Sequence, residues 1–220
     1  MLPLHQELLL LTISDDGKVQ RTAGTSTFRL AFLGACVIDL CNRERIDVDP
    51  ERVLLISTEA TGEPALDQVL ATLSDSPEEK PLQFWLSHLY QDIPELSGKA
   101  LGQLCRVGVL RNEESRFLWV LAGRKYPQVD GKEKKEAKLR IMEALFGDSL
   151  PDAEDSVLIG LANLAGTLEG FLKPQEILSL QDRLAQVGNL DLTARLVEQA
   201  IYAEQEAVAT AMYQNHYMGF

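Results

Sequence analysis

The stretch FRLAFLGACVIDLC, residues 28–41, decides how this chain is read. Its apolar side chains fall on every face of a helix, and only Arg29 and Asp39 interrupt them. A helix that is apolar all round belongs inside a domain, with other helices wrapped about it. At 14 residues the stretch is shorter than the roughly 18 to 20 apolar residues a membrane span needs. A second stretch, residues 157–172, carries Asn163 and Glu169 and is read in the same way, as a buried core helix.

Working outward, Arg43-Glu44-Arg45 ends the central helix, and residues 46–48 and 53–57 alternate like two short strands. On the other side, residues 6–14 form an apolar run closed by the turn Asp15-Asp16-Gly17. A short returning strand is expected over residues 18–21. Pro64 suits the first position of a helix, after which Leu66, Val69, Leu70 and Leu73 recur at helical spacing. Pro81 opens another helix, burying Leu82, Trp85, Leu86 and Leu89. Residues 96–107 make a further helix stopped by Gly108. Residues 131–140 are basic and helical in pattern. Residues 174–187 read as one amphipathic helix, and residues 191–212 as the last. No repeat, low-complexity tract or long linker divides the chain. The expectation is therefore a mainly α protein, with residues 1–220 as a single compact domain. Apolar core helices are surrounded by amphipathic ones, with a short β-hairpin.

A net charge of -12 repels duplex nucleic acid and anionic membranes, unless a local basic patch overrides the average. The three cysteines, at 36, 41 and 105, fit reduced thiols in a cytosolic compartment better than a disulfide framework. The opening residues lack the basic region of a signal peptide. No nucleophile elbow, phosphate loop or repeated Cys pair is present, so no catalytic residue, metal site or cofactor is expected. His5, His88 and His216 have no ligand-like spacing and are expected at the surface or its boundary. Cys36 and Cys41 are read as small core hydrophobes. The acidic loop at residues 148–155 is read as solvated and favourable to the start of the next helix.

One feature is left over. Residues 109–111 and 116–121 are β-prone around a polar turn, which suggests a hairpin. Its second arm holds Phe117, Leu118 and Trp119 in a row, so some large side chains would face outward. An apolar hairpin of this kind can enter a membrane interface, where Trp is favoured, or contact a protein partner. A helix followed by a hairpin also ends a winged-helix module. In that reading Arg111 and Arg116 would touch DNA phosphate, which the net charge disfavours.

Several segments, in order, resemble the Golgi phosphoprotein 3 family. They are Glu7-Leu8-Leu9-Leu10-Leu11 with Asp15-Asp16-Gly17, Val37-Ile38-Asp39-Leu40 with Arg43-Glu44-Arg45-Ile46, and Thr61-Gly62-Glu63-Pro64-Ala65-Leu66-Asp67. Phe84-Trp85-Leu86, Gly108-Val109-Leu110, Tyr126-Pro127 and residues 161–168 continue the series. The similarity spans about residues 4 to 200. The chain lacks the long polar N-terminal extension of eukaryotic members and in that is similar to bacterial relatives.

The resemblance implies a non-enzymatic peripheral membrane protein, cytoplasmic, of adaptor type. Eukaryotic members bind phosphatidylinositol 4-phosphate, hold the cytoplasmic tails of glycosyltransferases and engage vesicle coat. Their apolar hairpin contributes to membrane contact and self-association. In this chain Phe117, Leu118 and Trp119 preserve that hairpin's character and are the expected membrane or partner contact. The positions that match the family's headgroup ligands, a Trp and several Arg, are Gly24, Leu33, Pro94 and Ser97. None keeps a ligand of that type, so no phosphoinositide-binding residue is matched. The alternative to a membrane adaptor is a cytosolic interaction scaffold or oligomer that uses the same hairpin.

Overall fold

The central helix α2 (Ser26–Asn42) starts where Thr25 leaves the helical region and accepts a hydrogen bond from the Phe28 amide at 3.1 Å. Such a cap satisfies one of the free amides of a first turn and contributes about 1 kcal/mol. From Leu30 to Leu40 every residue of α2 is buried, as a helix apolar on all faces requires. In this computed structural model the described residues are 1–76, 78–112, 125–188 and 191–217.

Around α2 stand α1 (Leu4–Leu11), α3 (Pro64–Ser74), α4 (Leu82–Leu89), α7 (Ala153–Leu164) and α10 (Leu192–Tyr217), all in contact with it. Helix α5 (Ile93–Arg106) packs on α1 and α3, and α6 (Lys132–Phe146) on α1 and α7. Helix α10 comes close because Gly34 has no side chain. A Cβ there would lie 2.4 Å from Val197 Cγ1 and 3.3 Å from Ile201 Cδ1. Among the described residues, one β-hairpin pairs β1 (Ile46–Val48) with β2 (Val53–Leu55), antiparallel, with Ile46 opposite Leu55. Asp49 shapes its turn by accepting from the Glu51 and Arg52 amides at 2.7 and 2.9 Å. The architecture is mainly α with a short hairpin, as the sequence predicts.

Four local expectations change. The helix expected over 157–172 begins earlier, because Asp152 caps it through the Asp155 amide at 2.8 Å. It also ends earlier: Gly166 turns left-handed at φ 70°, and a 3-10 turn, Thr167–Gly170, follows. The helix expected over 174–187 is two, α8 (Pro174–Ser179) and α9 (Gln181–Gly188). The bend at Leu180 lets α9 bury Leu184 and Val187 against α7, whereas α8 buries no residue fully. The strand expected over 18–21 reduces to one bridge, Ile13 to Val19, followed by a 3-10 turn, Arg21–Gly24.

The fourth change concerns His5. The sequence places it at the surface or its boundary, but it is fully buried, because a carboxylate inside the core receives it. His88 is exposed, as expected.

Candidate functional site

The hairpin expected after α5 is visible at its base. The chain leaves at Leu110 and returns at Gln128, the two joined by an antiparallel bridge. The Arg111 amide donates to the Pro127 carbonyl at 2.8 Å, and the Val129 amide to that of Val109 at 3.0 Å. Residues 109–111 thus pair with 127–129, while the expected second arm, residues 116–121, lies outside the described residues. Arg116, Phe117, Leu118 and Trp119 lie outside the described residues.

The base of the excursion has a built seat. Gly17, at φ 79°, accepts the Tyr126 amide at 2.7 Å, and its Cα lies so close that a Cβ would come 2.5 Å from Pro127 N. Only glycine combines that left-handed backbone with that approach. The turn Asp15-Asp16-Gly17, legible in sequence as a turn, is therefore also the platform on which the returning arm rests.

Beside this platform lies an open groove of about 470 Å³, lined by Asp15, residues 128–131, Lys134, Lys135 and Lys138. The three lysines share one face of α6, because positions separated by three and four residues are neighbours on a helix. Lys134 is buried, donates to the Ile13 carbonyl and lies 3.3 Å from Asp15. Lys138 is half-buried with its ammonium 5.1 Å from the centre of the Phe171 ring. Burial, and then the Lys134 charge, push the Lys138 ammonium below its ordinary 10.5. Lys132 and Lys135 are exposed at the head of the same helix. Residues 131–140 read as basic in sequence, but their position beside the excursion is not readable there, since Asp15 and Lys134 are brought together only by the fold.

The four positions that the resemblance sets at the headgroup ligands are all among the described residues. Gly24 is exposed at the end of its 3-10 turn, and Leu33 is 1 % exposed in α2, facing the core. Pro94 is exposed in the first turn of α5, and the Ser97 hydroxyl donates to the Ile93 carbonyl at 2.7 Å. Arg29, in the first turns of α2, lies over the Tyr90 ring, 5.8 Å from its centre.

Two further polar knots hold α1. Asp39 accepts from the Leu4 amide at 3.0 Å, the His5 amide at 2.9 Å and His5 Nδ1 at 2.6 Å. Arg43 approaches the same carboxylate at 3.4 Å. Asp39 thus caps a helix from 35 residues away, where Pro3 offers no side-chain cap. Arg140 joins Glu7 at 2.5 Å and also Asp155, tying α1, α6 and α7 together. A cavity of about 340 Å³ opens between these knots, lined among others by Glu7, Asp39, Arg43 and Glu154. In sequence Asp39 is legible as an interruption of an apolar helix, but without a partner.

Among the described residues, no group of three or more His, Cys, Asp or Glu could hold a metal ion. Among the same residues, no helix is long and apolar enough to cross a membrane. A search of curated proteins finds no match. The family model of Golgi phosphoprotein 3 matches residues 4–203. That stretch takes in α1 through part of α10, including the seat at Gly17 and the excursion between Leu110 and Gln128. On a match over nearly the whole chain, it belongs to the Golgi phosphoprotein 3 (GPP34) family.

Proposed function

We propose that this chain is a non-catalytic, peripheral membrane adaptor whose contact is made by the excursion between Leu110 and Gln128. The family match over residues 4–203 carries this reading. The seat at Gly17 supports it, because it fixes Tyr126 and Pro127, where the described chain resumes after the apolar residues of that excursion. Phe117, Leu118 and Trp119 supply the apolar surface in sequence.

The phosphoinositide grip of the eukaryotic members is not part of the proposal. Gly24 and Pro94 have no hydrogen-bonding side chain, Leu33 points into the core, and the Ser97 hydroxyl is engaged by Ile93. Each charge-assisted hydrogen bond that cannot form removes roughly 1.5–3 kcal/mol. Specific affinity for the phosphatidylinositol 4-phosphate headgroup should therefore be absent.

Flotation with liposomes that contain or lack that lipid tests both halves. The expected result is binding that does not need the phosphoinositide and that disappears in Trp119→Asp. Failure to bind any lipid composition would sink the membrane reading.

A further inference from the structure

The lysines at the base of the excursion have no part in the apolar contact proposed above. Helix α6 carries five basic residues, Lys132, Lys134, Lys135, Lys138 and Arg140, against Glu133, Glu136 and Glu143. It is thus net positive in a chain of net charge -12. Arg111 and Lys125 flank the excursion itself, Arg111 exposed and Lys125 half-buried. The nearby acids are in part occupied. Asp15 faces Lys134, Asp16 lies 2.7 Å from Lys18, and Asp130 accepts the Lys132 amide at 3.0 Å. Glu136 reaches Lys132 only at 3.8 Å, between exposed side chains. Leu139, 50 % exposed, stands one turn after Lys135 on the outward face of α6. Lysines beside an outward leucine are the pattern of a helix that lies against an anionic interface, stems down and ammonium groups at the phosphates.

We propose that Lys132, Lys135 and Lys138, with Arg111 and Lys125, form a basic collar around the base of the excursion that binds the anionic phospholipid surface through its charge density. This rests on the membrane reading above and gives the excursion its partner: a membrane recognised by surface charge, with no single headgroup gripped. Distance decides whether the collar can act against a net charge of -12. At physiological salt, charges are screened beyond about 8 Å, so a surface in contact with α6 responds to the collar and to the acids beside it, of which Asp15, Asp16 and Glu136 already face lysines, and not to the rest of the chain. The open groove lined by Lys134, Lys135 and Lys138 supports this, since it gathers three ammonium groups against the carboxylates of Asp15 and Asp130. Pairing of α6 with a second copy is less favourable. In parallel it would set Lys132 and Lys135 against themselves. In antiparallel it would bring Glu136 toward Glu143.

Co-sedimentation of the full chain with three vesicle types tests the collar. They are phosphatidylcholine alone, phosphatidylcholine with phosphatidylglycerol, and phosphatidylcholine with phosphatidylinositol 4-phosphate at matched total charge. The expected result is negligible binding to the first, equal binding to the other two, and a steep loss with added salt. One lysine near such a surface contributes about fivefold in affinity. The double variant K132Q/K135Q should then weaken binding on the order of twentyfold, while K132R/K135R keeps it. Both positions are exposed, so thermal unfolding should be unchanged in either variant. Equal binding to phosphatidylcholine alone would overturn the collar and leave the membrane reading standing. Binding restricted to the phosphoinositide, or untouched by K132Q/K135Q, would also overturn it. No binding to any vesicle would overturn both readings. Loss of self-association in K132Q/K135Q without change in vesicle binding would assign the face to a second copy instead.

Discussion

Asp39 shows how much one residue can hold. Its carboxylate receives two backbone amides and a ring N–H, all three buried or partly buried, and it is 3 % exposed itself. Removing it in Asp39→Ala leaves those donors without an acceptor inside the core. The loss expected is about 3–5 kcal/mol, as for breaking a buried pair from one side. Chemical denaturation should show it as a lower midpoint with an unchanged slope; a change below about 1 kcal/mol would mean the carboxylate is replaceable there. Glu7 behaves differently. Burial pushes its carboxyl above the ordinary 4.5, against the pull of Arg140, and burial likewise raises Asp155 above 3.8. A raised value means the folded chain holds the proton more firmly than the unfolded one. Stability from these two groups therefore rises as pH falls from neutral through the raised values, and levels off below the ordinary ones. Glu7→Gln keeps an oxygen for Arg140 but has no proton to gain. It should show a smaller rise in urea midpoint between pH 7 and about 4.5; identical pH profiles for the two proteins would count against this account. Asp39 is visible in the sequence as the acid in an apolar helix. Its partner is not, because His5 lies 34 positions away and no local period links them.

Elements are legible where the hydrophobic period is strong, and least legible where one residue redirects the chain. Helix α2 follows from its composition alone. The ends of α7 and the break between α8 and α9 do not, since the first are set by the Asp152 cap and the left-handed Gly166 and the second by a bend at Leu180. The expected arm at residues 116–121 lies outside the described residues, and the bridge from Leu110 to Gln128 is a pairing the sequence does not suggest. The returning chain there also meets a contact distant in sequence, the seat at Gly17. Gly17→Ala should therefore destabilise the protein by about 1–3 kcal/mol, as a left-handed residue forced to carry a Cβ does. It should also expose the Tyr126 amide, which donates to the Gly17 carbonyl at 2.7 Å, to faster hydrogen exchange. Unchanged Tyr126 protection would show that the returning arm does not depend on this seat.

At the scale of the whole molecule, the net charge and the local charge point in opposite directions. The composition argues against an anionic partner, and α6 with its surroundings argues for one. Residues 131–140 are basic in any reading of the sequence, but nothing in the sequence sets them beside the excursion. That neighbourhood is created by Gly17, Asp15 and Lys134 across more than 100 residues. The fold class came from periodicity and the family from ordered segments. The arrangement of the candidate site required the three-dimensional chain.

The knot of Arg140 with Glu7 and Asp155 has a consequence in time. Leu8 to Leu11 are buried, yet α6 and α7, which cover part of α1, follow it by more than 120 residues. On a ribosome adding about 5–20 residues per second, α1 waits roughly 6–25 s for them. During that interval its leucines lack the cover of α6 and α7 and have that of α2 and α5, so a helix made well before its neighbours is finished late.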